Sequence, residues 1–412
     1  LVNVLGDGVI TGAADDDPSA IGTYSAAGAQ FGLGIVWIAP VLLPMMYVVT
    51  FLSAKIGQVY GKGLFACIRD QLPRWVLVPL VTLAFVGNVI EAAADLGGMG
   101  SAVRLFVPVA TPALVLAAAV GLYSMQYFAG YDRIRTVFRW LALALFTYVA
   151  AAILAHPHPV EVLRHTFVPH VQFNSEFLAI LVACQGTALS AYVYTWQSNQ
   201  EVEEQIGRGR RRPAERRGAS RREVTRTGRD VFVGMVFSNL ILYFILLATG
   251  LTLHPAGQTK VDSAAQAAAA LEPVAGAAAK LLFAAGIVGV GLLAVPVMTT
   301  GAAYDLVQGM GREGSLHERP RQNPPFYAAM GVVTALAVAL NFLGVNPMRA
   351  LVLSGIVQGF SVPPLLLVMM LLTNRGSVLG ERGNGRWVNG LGGLTTAVSF
   401  LATVFLVGSW FG

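Results

Sequence analysis

Apolar runs of about 20 residues recur along the whole chain, and they constrain its fold before any motif is read. Such a run crosses the hydrocarbon core of a bilayer as a helix, which satisfies its own backbone hydrogen bonds. Ten ordinary candidates are Ile35–Ile56, Val76–Val103, Pro112–Phe128, Val137–Ala155, Phe177–Gln200, Val231–Leu253, Ala279–Tyr304, Phe326–Leu343, Leu351–Leu372 and Leu391–Trp410. An eleventh, Leu1–Gly34, is interrupted by Asp15-Asp16-Asp17-Pro18-Ser19. Of 412 residues, 55% are hydrophobic and only 12% are charged. A soluble domain carries about twice that charge and could not cover its surface with so little. A soluble enzyme, a disordered chain and a disulfide scaffold are thereby excluded. Cys67 and Cys184 sit in apolar surroundings and make no metal or disulfide pattern. The expected class is an all-α polytopic membrane protein with 11 transmembrane helices.

Charge placement tests the span count. With the N-terminus in the cytoplasm, the loops on that side hold 23 of the 28 Lys and Arg residues. Only Arg104, Arg164, Lys260, Lys280 and Arg349 fall on the other side, as the positive-inside rule requires. The C-terminus is then outside, and the expected location is the plasma (inner) membrane. No cleavable signal peptide is visible, because Asp7 and the Asp triplet interrupt the first apolar run. Ten arginines lie within Arg208–Arg229. That stretch reads as a flexible topogenic loop touching anionic lipid. It has no interleaved aromatic or folded module, so nucleic acid is not an expected partner. The expected assembly is a monomer or weak oligomer.

The first span carries the chemistry. Three aspartates facing lipid would each cost about 2.5–3.5 kcal/mol. Pro18 removes a backbone donor and disfavours helix at Asp17. A helix broken at Asp15–Ser19 resolves both problems, because its freed backbone groups can line a polar cavity. Carboxylates and exposed carbonyls together suit a hard cation. The competing reading makes Asp17-Pro18 an ordinary helix N-cap outside the membrane. A second interruption, Gly186-Thr187-Ala188-Leu189-Ser190-Ala191-Tyr192, lies at mid-depth in the sixth span. Broken first and sixth helices are corresponding members of two five-span halves, the pattern of inverted-repeat transporters. Small residues for close helix packing would account for the sixth span alone. Glu91 and Asp95 share one face of the third span, where intramembrane carboxylates mark ion or proton paths. Asn88 and Asn341 are weaker polar candidates. Asp305, Glu201, Glu203 and Glu204 fall at predicted cytoplasmic ends and are expected on a solvated surface. All six histidines fall in predicted loops.

The run Gly6-Asp7-Gly8-Val9-Ile10-Thr11-Gly12-Ala13-Ala14-Asp15-Asp16-Asp17-Pro18-Ser19, followed by Ala27-Gly28-Ala29-Gln30-Phe31-Gly32, resembles the first span of Nramp-type divalent metal transporters. Leu52-Ser53-Ala54-Lys55-Ile56-Gly57 and Gly61-Lys62-Gly63-Leu64 resemble the same family. The resemblance implies a LeuT-type fold. Residues 1–155 and 176–372 would be two inverted five-helix repeats, and residues 388–412 an additional span. The family motif Asp-Pro-Gly-Asn falls on Asp17, Pro18, Ser19 and Ala20, which keeps the metal-binding Asp and loses the Asn. Met-Pro-His falls on Ser190, Ala191 and Tyr192, and a later family His on Gln197. The third-span Asp matches Asp95, whereas the family's following Glu falls on Gly98. These departures resemble a divergent branch that includes magnesium transporters.

A thioether ligand favours transition metals, and Ser190 supplies only oxygen. The expected metal set is therefore Asp17, Asp16, Ser19 and Ser190, with the sixth-helix backbone around Ala188. Asp15, Glu91, Asp95, Tyr192 and Gln197 are expected along a cation pathway or proton relay. An all-oxygen site suits Mg²⁺ or Mn²⁺ as the transported cation, with no resident cofactor. The alternative is a proton-coupled Mn²⁺/Fe²⁺ transporter of ordinary Nramp type. A membrane enzyme with an Asp-rich Mg²⁺ site needs two aspartate clusters, and only one exists.

Overall fold

The computed structural model describes residues 7–128, 146–272 and 276–411, and among them every regular element is helical. The expected first span is two short helices, α1 (Asp7–Asp15) and α2 (Pro18–Phe31). There follow α3 (Ile38–Lys55), α4 (Leu64–Gln71), α5 (Arg74–Val103) and α6 (Thr111–Phe128). Residues 129–145, with Arg133, Arg135, Arg139 and the start of the expected fifth span, lie outside the described residues; α7 (Phe146–Leu154) is its described part. After α8 (Pro159–Phe167) the sixth span is again divided, into α9 (Ser175–Ala188) and α10 (Ala191–Gly207). The rest comprises α11 (Arg221–Thr252), α12 (Ala264–Ala269), α13 (Ala279–Gly309), α14 (Pro324–Asn341), α15 (Pro347–Thr373) and α16 (Arg386–Gly408). Among the described residues, nine helical segments are long and apolar enough to cross a membrane.

Local sequence sets the helix starts. Ser220 caps α11 through a reciprocal pair with Glu223, whose carboxylate accepts the Ser220 N–H at 2.7 Å. Asn323-Pro324 and Asn346-Pro347 place a capping amide before a proline that has no donor to lose. Packing then relies on small residues. A Cβ on Gly186 of α9 would collide with the backbone of Gly355 and Gly359 on α15, so these two helices meet backbone to backbone. Helix α5 lies against α13 and α15, while α11 holds α1, α2 and α3. The two broken helices thus sit inside a frame of unbroken ones.

The basic loops gather at one end. Arg216 donates to Gly61 O at 3.0 Å, Arg375 to Gln71 O at 2.8 Å, and Arg382 to Ala219 O at 3.0 Å. At the opposite end Arg349 pairs with Asp262 at 2.9 Å. The expected flexible loop Arg208–Arg229 is only partly a loop. Pro213–Arg216 forms a helical turn, Arg216 is buried, and α11 begins at Arg221. Capping and the Arg216–Gly61 contact order what composition alone reads as flexible.

Candidate functional site

The first span breaks between Asp15 and Pro18. Asp17 adopts extended backbone at φ −69° and ψ 176° and caps α2, with Pro18 in its first turn. Its Oδ1 accepts from Ala20 N and Ser19 Oγ, both at 2.7 Å. Asp17 is nevertheless fully buried. The N-cap and the buried break, competing readings of the sequence, are one structure. A cap is what allows a helix to start inside the bundle without orphaning its first donors.

The sixth span breaks at Leu189–Ser190. There Tyr192 directs its hydroxyl across to the first break, 2.9 Å from Asp17 Oδ2 and 2.6 Å from Ala14 O. The Ser190 hydroxyl lies 2.8 Å from Glu91 Oε1. Ala188 is the last residue of α9, beside the break. From the third span Asp95 Oδ1 accepts Ser19 N at 2.9 Å, and Glu91 Oε1 stands 3.4 Å from Ser19 Oγ. The structure therefore brings Asp17, Ser19, Glu91, Asp95, Ser190 and Tyr192 together from three spans.

The other expected residues stand apart. Asp15 Oδ2 and Asp16 Oδ1 face Ser238 of α11, whose hydroxyl is 2.7 and 3.2 Å away. Gln197, five residues beyond Tyr192 on α10, accepts from Thr11 at 2.6 Å and donates to Glu201 at 3.1 Å. Two contributors were missed. Gln358 of α15 donates to Glu91 Oε2 at 2.6 Å, and its Oε1 lies 3.3 Å from Ala191 N at the sixth-span break. Ser238 holds the two flanking aspartates. The available signal for Gln358 was an amide in the middle of the apolar run Leu351–Leu372.

Asp15, Asp16, Asp17, Glu91 and Asp95 are all at most 2% exposed. Among the described residues none of them forms an ion pair. One oxygen each of Asp15, Asp16 and Asp95 has no hydrogen-bond partner. Buried like charges without counter-ions are costly, and a bound cation or protons relieve that cost. Among the described residues no three His, Cys, Asp or Glu side chains converge as a ready-made metal cage. The donors are instead carboxylate, hydroxyl and backbone oxygen spread over two helix breaks.

One expectation is overturned. Glu201, Glu203 and Asp305 were expected on a solvated surface, and all three are buried. Glu203 accepts from Tyr304 at 2.6 Å, Ser315 at 2.9 Å and Leu316 N at 3.1 Å. The loop after α13 folds back over α10, which a reading by span ends cannot anticipate. Beside Glu203 opens a polar cavity of about 660 Å³ at the basic end, with Lys62, Asp70, Asn199, Gln308 and Glu313 in its wall.

Comparison with known proteins agrees with this geometry. The family model described as "Natural resistance-associated macrophage protein-like", Nramp, matches residues 8–409. A divalent metal cation transporter MntH of Klebsiella pneumoniae is 25% identical over 93% of this chain and 88% of its own. One from Pectobacterium carotovorum is 23% identical over 98% and 94%. In fold, the chain is similar to a manganese transporter of Eremococcus coleocola, with TM-score 0.72 at 18% identity over 99% of this chain and 87% of that one. It is similar also to Mhp1, a nucleobase-cation-symport-1 family transporter, with TM-score 0.62 at 11% identity over 98% and 92%. The expected all-helical LeuT-type architecture is the one observed. With the match running from the first broken helix to the last described one, the chain belongs to the Nramp family.

Proposed function

We propose that this chain carries a divalent metal cation across the membrane by alternating access, with Asp17 as a direct ligand. The observation that carries the reading is the facing of the two breaks. Asp17 in the first span meets Tyr192 in the sixth at 2.9 Å, among buried carboxylates that no ion pair among the described residues neutralises. Ser19, Ser190 and the backbone around Ala188 supply further oxygens, and Asp16 is the nearest extra carboxylate in sequence. Asp15, Glu91, Asp95, Tyr192 and Gln197 line the approach. The metal is cargo, and no cofactor is invoked. An Asp-rich enzyme is set aside, since the similar proteins are named as transporters.

The sequence favours Mg²⁺ or Mn²⁺ on oxygen chemistry. The similar proteins' names, divalent metal cation and manganese, support the ordinary Nramp alternative better than a Mg²⁺ preference. Mn²⁺ is at home among carboxylate and hydroxyl oxygens, so the donor set fits it without a soft ligand. We place Mn²⁺ first. The repeats would be residues 1–155 and 176–372, rocking around the site, with 388–412 as the extra span. The basic end, Arg208–Arg229 included, would face the cytoplasm and its anionic lipid from the plasma membrane.

Proteoliposomes test this directly. Uptake of Mn²⁺, Mg²⁺ and Cd²⁺ is followed with a pH probe inside, under clamped membrane potential. Saturable Mn²⁺ entry, abolished by Asp17→Ala, is expected. Cd²⁺ strongly preferred over Mn²⁺ would overturn the oxygen-site reading. Internal acidification in step with metal entry would establish proton coupling.

A further inference from the structure

Asp305 on α13 is completely buried, yet the central site does not use it. Its Oδ1 has no hydrogen-bond partner. Its Oδ2 has a long contact of 3.4 Å from Asn88 Nδ2. Thr195 of α10 is a hydrogen-bonding neighbour of its carboxylate, and a Cβ on Gly301, one turn earlier on α13, would stand 3.8 Å from the Thr195 hydroxyl. The neighbouring Tyr194 is buried, its hydroxyl lacks a hydrogen-bond partner, and it lies within electrostatic reach of Asp305. Among the described residues no Lys, Arg or His pairs with Asp305. An unpaired carboxylate in a membrane protein is expensive and is kept where cations pass.

Its position is between two polar regions. Toward the centre, Asn88 Oδ1 is 3.3 Å from Gln358 Nε2, which also donates to Glu91 at 2.6 Å. Toward the basic end, Gln308 follows one turn later on α13 and reaches Asn199 at 2.6 Å in the cavity wall. Asp305 thus stands where a cation leaving the central cluster would meet the next oxygen donors before the cavity.

Resting on the transport reading above, we propose that Asp305, with Asn88, Thr195 and Tyr194, forms a second, weaker station for the hydrated divalent cation between the central site and the cavity at the basic end. Asp305, Thr195 and Tyr194 offer oxygen, while Asn88 steadies the carboxylate through its Nδ2, and a single carboxylate leaves most of the hydration shell in place. Weak binding is what a release step requires, since a tight second site would trap the ion.

Equilibrium binding of Mn²⁺ to the purified full chain, read by electron paramagnetic resonance, tests this without transport. Two sites are expected, one tight and one weak. Asp305→Asn should lose the weak site alone, and Asp17→Ala the tight one. In proteoliposomes Asp305→Asn should lower the maximal Mn²⁺ uptake rate by about five-fold with KM little changed, as loss of a release step would. Asp305→Glu, which restores the carboxylate, should recover part of that rate and guards against a merely unfolded variant. A single site in the parent, or both sites surviving in Asp305→Asn, overturns the proposal. So does lost proton flux in Asp305→Asn with unchanged metal flux, which would make Asp305 a proton relay. Two sites in a parent that moves no Mn²⁺ would leave the station standing and sink the transport reading instead.

Discussion

The two helix breaks face each other but are built from opposite materials. The first contributes Asp15, Asp16 and Asp17, and the second contributes Ser190, Tyr192 and backbone, with no charge within the break itself. On the proposed reading the first break would supply the electrostatic pull, and the second the geometry. Tyr192 aims a hydroxyl at Asp17, and Ser190 fixes Glu91 of the third span. The way each break is closed differs as well. Asp17 caps α2 with its own side chain, whereas no side chain caps α10. A carboxylate used as a cap is held rigidly by 2.7 Å bonds from Ala20 N and Ser19 Oγ, leaving its orientation little choice.

If charge sits on one side and geometry on the other, substitutions should divide accordingly. The largest effect is expected for Asp17→Ala, with Mn²⁺ uptake reduced by about 100-fold or more, because the proposed ligand and a cap are lost together. Initial rates in proteoliposomes measure this. An equal loss in Ser190→Ala would break the proposed division. Next comes Gly186→Ala, expected to destabilise by about 1–3 kcal/mol through overpacking against Gly355 and Gly359. Its thermal melting in detergent should fall, with Mn²⁺ affinity of the folded fraction unchanged. Reduced affinity at unchanged stability would mean that α9 shapes the site directly.

Smaller effects sharpen the geometry. Tyr192→Phe removes one hydrogen bond to Asp17 and should weaken Mn²⁺ binding by about 1–2 kcal/mol, measured by calorimetric titration. No change would show that the hydroxyl serves Ala14 O instead. Ser190→Met should tilt the competition between Cd²⁺ and Mn²⁺ toward Cd²⁺ by a few-fold, about 1 kcal/mol, as a thioether replaces an oxygen. Competitive uptake of the two ions decides it. Unaltered selectivity would place Ser190 outside the cation's reach.

The sequence alone determined the class, the sites of both interruptions and the separation of basic loops. Each rests on a local rule: hydrocarbon tolerates neither exposed charge nor unpaired backbone, and proline removes a donor. Asp17, Glu91 and Asp95 were legible for that reason, being charged groups in apolar runs, whereas Ser19, Ser190 and Tyr192 were picked out at the two interruptions by the family resemblance. Span-end residues were not. Glu203 and Asp305 read as solvated ends, because burial there depends on which loop folds back over which helix. Gln358 was overlooked, since one neutral amide in a long apolar run is a weaker signal than a carboxylate until its neighbour is known to be Glu91. Likewise only tertiary packing decided that Asp15 and Asp16 turn to Ser238 while Asp17 turns to Tyr192. Pro18 marks out Asp17 in the sequence, but nothing there fixes where the three carboxylates point. They become different once a capped helix start, an opposing break and a serine on a third helix each select one direction.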